Sequence, residues 1–231
     1  MCTAFAFKGN DILYGYNLDV DPTVWDWRLV KKKDVFTVAI RVGSTTYYTH
    51  GVRSGGAFAD LPYMNGEENG GFGTGRGQHR IDLLVDRYLR GKYSDPDVRE
   101  IVKTREITNP RGGSMHSLFG NAAGDFLLVE PGYGAREIGD NHAVVTNFPI
   151  LTELPDYSNP FYGKDRRDIA ESVLAAAGAD FSAGDGMELL REVCQSGQWG
   201  TRLSFVYSQN ENAVLYCTDG DFERIEKWKF D

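Results

Sequence analysis

The second residue of the chain is Cys2, and removal of Met1 alone would place a thiol and a free α-amine on one residue. An α-amine titrates at roughly 7.7 to 8, so at neutral pH part of it is already a base beside the most nucleophilic common side chain. Such a residue is nucleophile and general base at once. By position alone, Cys2 reads more simply as a small apolar residue opening a buried strand, because free cysteine packs like a hydrophobe. The remaining cysteines, Cys194 and Cys217, fall in an apolar helix stripe and an apolar strand and read as inert core thiols.

The elements that must position Cys2 follow from local pattern. Residues 3–7 and 12–16 flank the turn Gly9-Asn10-Asp11 and predict an N-terminal hairpin, which sets Cys2 at the free end of a strand. Residues 35–42 are rich in β-branched and aromatic side chains, and residues 45–49 return as their partner across Gly43-Ser44. Ile81, Leu84, Val85, Tyr88 and Leu89 recur at helical spacing before Gly91. Asp95-Pro96 then supplies a cap and a first-turn proline for a second helix to about residue 103. Strands are expected over 117–121, 126–130 and 143–146. Two helices come next, one over 165–177 with Ile169, Val173 and Ala177 on one stripe, the other carrying Met187, Leu190 and Cys194. The chain closes with strands over 203–208, 213–218 and about 224–230. This order of β, αα, β, αα, β predicts an α+β sandwich, two sheets with helices outside them.

Composition narrows the function classes. The 231 residues suit one domain spanning 1–231, with 41% hydrophobic and 25% charged residues. Its 25 basic against 33 acidic residues leave a net charge of −8, which disfavours nucleic acid or an anionic membrane as the partner. No stretch approaches the ~20 apolar residues of a membrane span, and no secretory leader pattern opens the chain. Three cysteines without a CxxC pair argue against a disulfide framework, so a reducing cytoplasm is the expected setting. The histidines show neither HxxxH nor HExxH spacing, and no metal or other cofactor is expected. Gly70 to Gly77 is glycine-rich but lacks both GxxxxGK[ST] and a GxGxxG strand-to-helix context, and reads as a loop near the mouth of the site.

Four segments in order carry a resemblance: Met1-Cys2-Thr3, Tyr16-Asn17-Leu18-Asp19, Val145-Thr146-Asn147-Phe148-Pro149 and Thr201-Arg202-Leu203. Together they resemble the choloylglycine hydrolase and penicillin V acylase group of linear amide hydrolases, within the N-terminal nucleophile hydrolases. The resemblance runs from Cys2 to about Thr218 and implies a four-layer αββα sandwich. It implies that Cys2 is the nucleophile once Met1 is removed and that Asp19 holds its amino group. It likewise implies that Asn147 binds substrate and the developing oxyanion and that Arg202 lies against the thiol and favours the thiolate. Asn65, in Leu61-Pro62-Tyr63-Met64-Asn65, is the counterpart of a further oxyanion donor. Trp25 and Trp27, close after the hairpin, are candidates to line an acyl pocket. One departure stands out: many members place arginine immediately before Asn-Leu-Asp, whereas this chain has Tyr16. Arg28 is then a candidate to supply the missing charge.

The implied activity is hydrolysis of a linear N-acyl amide, such as a conjugated bile acid or penicillin V. Acyl transfer to an amine would use the same acyl-enzyme, and a non-catalytic small-molecule-binding protein that kept the fold is the alternative that Tyr16 motivates. Symmetric self-association is the default for a soluble enzyme, with no interface legible in the sequence.

Overall fold

The N-terminal hairpin forms and is longer than its pattern suggests: β1 (Cys2–Lys8) pairs antiparallel with β2 (Ile12–Asp19), setting Cys2 opposite Leu18 and Ala4 opposite Tyr16. Cys2, Ala4 and Ala6 enter one core, Phe5 and Phe7 another, as a period of two requires of a strand covered on both faces. The small side chains on β1 leave room for Tyr14 and Tyr16 of β2 in the same core. On the opposite face Gly15 must stay bare, because a Cβ there would lie 1.9 Å from the Phe5 ring. The structure, a computed structural model, describes residues 2–64, 71–73, 75–154 and 156–231.

After the hairpin come β3 (Asp26–Lys32), β4 (Val35–Val42), β5 (Thr45–Arg53) and β6 (Ala57–Ala59). Next, β7 (Gln78–Arg80), α1 (Ile81–Leu89), α2 (Asp95–Thr104) and β8 (Glu106–Thr108) form a helical excursion whose two short strands pair in parallel. The chain returns through β9 (Ser117–Gly120), β10 (Phe126–Glu130), β11 (Gly134–Ile138) and β12 (His142–Val145). It then forms α3 (Lys164–Ala176) and α4 (Ala183–Glu192), and ends with β13 (Thr201–Ser208), β14 (Ala213–Thr218) and β15 (Glu226–Lys229). One sheet has the order β12-β1-β2-β13-β14-β15, the other β11-β10-β9-β6-β5-β4-β3.

Three apolar layers hold these parts together. Between the sheets lie Cys2, Tyr14, Tyr16 and Leu18 with Phe36, Val38, Val52 and Phe58 of the second sheet. Outside the second sheet, Leu84, Val85 and Tyr88 of α1 cover Ala39, Ala59 and Phe119. Outside the first, Ala170 and Leu174 of α3 and Met187 and Leu190 of α4 cover Phe5, Phe7 and Val206. The order of layers is helix, sheet, sheet, helix, the expected αββα sandwich.

Some local expectations shift. The cap of α2 is Ser94, one residue before Asp95: its side chain accepts from the Asp97 N–H while Asp97 accepts from the Ser94 N–H, a reciprocal box. On α3 the fully buried row is Arg166, Ala170 and Leu174, with Val173 and Ala177 flanking it. Helix α4 ends at Glu192, so Cys194 lies just beyond it, half-buried. Strand β3 runs through Trp27 and Arg28, an element the local pattern did not mark. It is an outermost strand whose Trp27 and Leu29 pack on one core and Val30 on the other, all only partly buried, so its pattern of burial is weak. Among the described residues no helix is long and apolar enough to cross a membrane.

Candidate active site

The free end of β1 places Cys2 between two differently built surroundings. On the side of its backbone, the Cys2 N–H donates to Asn147 Oδ1 at 2.7 Å. Asn147 follows β12, which pairs with β1, so the sheet itself brings the two together. Its Nδ2 donates to the Tyr63 carbonyl at 2.7 Å, and this pair of bonds fixes which end of the amide faces Cys2. The segment ending at Met64 therefore borders the site, while Asn65 lies outside the described residues.

The charge on this side comes from Arg166, near the start of α3. Its Nη1 donates to the Cys2 carbonyl at 2.6 Å, to Thr3 Oγ1 at 2.7 Å and to Asp19 Oδ2 at 3.3 Å; Nη2 donates to Asn147 Oδ1 at 3.0 Å. The side chain is only 2% exposed, and Asp19 is fully covered. Thr201 Oγ1 donates to the other Asp19 oxygen at 2.6 Å. Burial pushes the Asp19 carboxyl up to about 6, against the opposing pull of Arg166 and Thr201. Gly163 makes room for the guanidinium: its φ is +71°, and a Cβ there would sit 2.1 Å from Arg166 Nη2.

The sulfur points the other way, into the core between the sheets. Burial pushes the Cys2 thiol up from its ordinary range, the Asp19 charge adds to this, and bonds from the Tyr16 hydroxyl and the Asp19 backbone N–H oppose it. Tyr16 is fully buried and its hydroxyl lies 3.3 Å from His50 Nε2. Tyr16 itself fills the position before Asn17-Leu18-Asp19, and it is neutral.

A second buried pair anchors the segment carrying Asn147. His116 bonds Glu130 Oε1 at 2.9 Å through Nδ1 and the Thr146 carbonyl at 2.7 Å through Nε2. With an acceptor on each nitrogen, the ring carries both protons and is an imidazolium. Burial opposes that charge, but the Glu130 carboxylate outweighs it and holds the His116 pKa above its usual value. Glu130 also accepts from the N–H groups of Ile150 and Leu151 at 2.8 Å, so one ion pair pins both ends of residues 146–151.

The structure thus brings Cys2, Asp19 and Asn147 together and sets Arg202 apart, with the Cys2 nitrogen bonded to Asn147, the residue expected at the oxyanion. A register shift between Thr201 and Leu203 makes Arg202 a bulge residue. It is 26% exposed and bonds the Val20, Gly197 and Gln198 carbonyls rather than the network around Cys2. Arg166 supplies the cation instead. Its signal in the sequence was a charge at i on the i, i+4, i+8 row completed by Ala170 and Leu174, a row that buries. Arg28 is exposed on β3 and supplies no charge to the site. Trp25 and Trp27 are half-buried against the inter-sheet core that includes Cys2, at the margin formed by β3. Asn17 points to the helix layer, donating to the Leu190 carbonyl at 2.8 Å and tying β2 to α4. The glycine-rich loop is described in part, and there Phe72 bridges Asn109.

Comparison with known proteins agrees with this architecture. No protein-family model and no curated protein matches the sequence. Solved structures do match. Conjugated bile acid hydrolase from Clostridium perfringens superposes over 99% of this chain and 92% of its own, with a TM-score of 0.68 at 12% identity. Penicillin V acylase from Agrobacterium tumefaciens covers 94% of this chain and 83% of its own, with a TM-score of 0.64 at 15% identity. The Caenorhabditis elegans ortholog of N-acylethanolamine-hydrolyzing acid amidase covers all of both chains, with a TM-score of 0.61 at 14% identity. The chain therefore has the fold of the N-terminal nucleophile hydrolases that act on linear amides.

Proposed function

We propose that this protein hydrolyses a linear N-acyl amide with Cys2 as its nucleophile, after loss of Met1. The observation that carries the reading is the 2.7 Å bond from the Cys2 nitrogen to Asn147, inside the network of Arg166, Asp19 and Thr201. That nitrogen is the atom that becomes the general base, and the network holds it in place while leaving the sulfur on the opposite side. In the reaction the amine takes the thiol proton and sulfur attacks the carbonyl carbon. The C=O electron pair moves onto oxygen, and in this reading the second N–H of the Asn147 amide stabilises it. Collapse breaks the C–N bond, and the leaving nitrogen takes the proton from the amine. Water, deprotonated by the same amine, then releases the acid and restores the thiol. The fold shared with amidases of conjugated bile acids, penicillin V and N-acylethanolamines supports an N-acyl compound as substrate. Three free cysteines are in keeping with a cytoplasmic setting.

Intact-mass measurement of the native protein, followed by turnover of an N-acyl amide panel, tests this. The expected result is a mass lacking one methionine, amine release, and a loss of at least about a thousandfold in Cys2→Ala with its melting temperature kept. Retention of Met1, or turnover that survives Cys2→Ala, would overturn it. A second reading, a binding protein that kept the fold, is favoured by the raised thiol pKa and the neutral Tyr16 beside it. Ligand binding without an acyl-enzyme adduct in the mass spectrum would select that reading.

A further inference from the structure

Tyr16 occupies the position at which an arginine was expected, and its surroundings give its hydroxyl a direction. His50 Nδ1 lies 3.0 Å from the Leu61 N–H, which can only donate, so that nitrogen is the acceptor and carries no proton. In a neutral ring the proton then sits on Nε2. Burial holds the His50 pKa down to about 3, so the ring is neutral across the physiological range. Its Nε2–H faces the Tyr16 oxygen at 3.3 Å and uses it as an acceptor, which leaves the hydroxyl proton of Tyr16 for another partner. Cys2 is the diagonal neighbour of Tyr16 across the hairpin and enters the same core, so its sulfur is the acceptor this proton faces. The rings of Tyr16 and His50 are stacked, with centroids 4.5 Å apart at 20°, so neither ring is free to turn.

The fold has a specific device for this contact. In β5 the register shifts between Val38 and Ala39, leaving Thr49 as an extra residue in the strand. Without the bulge, a period of two would put Tyr48 and His50 on the same face. Instead Tyr48 packs in the α1 layer and His50 turns into the core between the sheets.

We propose that Tyr16 is a catalytic residue that donates a hydrogen bond to the Cys2 sulfur and stabilises its thiolate, and that neutral His50 is the positioning residue that aims the hydroxyl. The inference rests on the reading of Cys2 as the nucleophile. A neutral donor replaces the cation, with the proton polarity set by one backbone N–H. The titratable and charged groups around the sulfur are Tyr16 and Asp19 of β2, His50 of β5, Asp60 beyond β6, Arg166 of α3 and the chain's α-amine, which becomes that of Cys2 once Met1 is lost.

The test is the pH dependence of Cys2 alkylation by iodoacetamide, read peptide by peptide so that Cys194 and Cys217 are scored separately, in the Met1-free protein. Tyr16→Phe keeps the stacked ring and removes only the hydroxyl. Its alkylation midpoint should rise by about 1, slowing the reaction about tenfold at pH 7. His50→Leu should slow it by about threefold, and His50→Gln, which retains an N–H donor, should restore most of the rate. An unchanged midpoint in folded Tyr16→Phe overturns the proposal. If that variant does not fold, the ring ¹⁵N shifts of His50 in the unaltered protein decide: an Nε2-protonated ring supports the relay, an Nδ1-protonated one overturns it. Amide turnover separates the two readings. Tyr16-dependent alkylation without turnover would sink the hydrolase and leave this inference standing, whereas equal midpoints with full turnover would do the reverse.

Discussion

The two sides of Cys2 are built on opposite electrostatic plans. The nitrogen side is a compensated charge network: Arg166 and Asp19 are both buried and paired, and Asn147 and Thr201 satisfy their remaining atoms. On the sulfur side the donors among the described residues are neutral, Tyr16 and the Asp19 N–H, with His50 held uncharged behind them. Under the proposed function the difference follows from what each atom would do. A base has to be held in one orientation through its proton transfers, and fixed charge-assisted bonds do this without adding net charge. A thiol that shares its residue with that base need not be ionised in advance, so weak donors suffice to receive the thiolate as it forms.

The largest test of the comparison is to remove the cation. Arg166→Met would leave Asp19 buried without its counter-charge, and the chain should lose about 3–5 kcal/mol in urea unfolding. Adding Asp19→Asn to the same chain should recover part of that loss. If Arg166→Met costs less than about 1 kcal/mol, the nitrogen side is not held by charge.

Asn147→Ala tests the same side without touching charge. It removes the acceptor of the Cys2 N–H and the donor assigned to the oxyanion, and kcat should fall about 10²- to 10³-fold. A change confined to KM would move Asn147 from chemistry to substrate binding.

The pH profile distinguishes the sides further. Asp19 must be ionised to pair with Arg166, and its carboxyl is raised to about 6, so turnover should fall as pH drops through about 6. Stability runs the other way in this window. A folded pKa above the unfolded value of about 3.9 stabilises the fold at low pH, and that contribution is lost as pH rises through 6. Asp19→Asn should therefore flatten the stability curve between pH 4 and 6 while abolishing the acid limb of activity. A limb unaffected by the substitution would assign it to another group.

The smallest effect lies just behind the sulfur side. Asp60 is buried, accepts the Leu118 N–H at 2.7 Å through one oxygen and leaves the other without a partner; burial pushes it up to about 7. Asp60→Asn keeps the acceptor and removes the ionisation. The variant should be more stable than the parent by on the order of 2 kcal/mol at pH 8 and little different at pH 5. Equal effects at both values would show that charge at Asp60 is not what burial penalises.

How far local pattern reached can be judged from particular residues. The end of β1, Asp19 on the adjacent strand and Asn147 after β12 were legible because each sits in a short segment whose order along the chain is distinctive. Helix α1 matched its pattern because it has one clearly apolar face, and β10 because it is a short apolar run covered on both faces. The arginine was misplaced because Thr201-Arg202-Leu203 lies in regular alternation in the sequence, and the bulge that turns Arg202 outward has no mark there. His50 was passed over for the same reason: a lone histidine in a strand is ordinary, and only the bulge at Thr49 turns it towards Tyr16.

By itself, then, the amino-acid sequence determined the N-terminal hairpin, the helices and the residue that can act as both nucleophile and base, since all of these follow from spacing within one segment. Tertiary structure alone decided which cation and which hydroxyl serve it. Arg166 reaches the Cys2 carbonyl across 164 residues because α3 docks on the sheet with Gly163 giving it room. Tyr16 finds His50 because two sheets close face to face around them. Contacts of this kind depend on how layers stack and where a strand bulges. Those are properties of packing between segments, and no periodicity within a single segment records them.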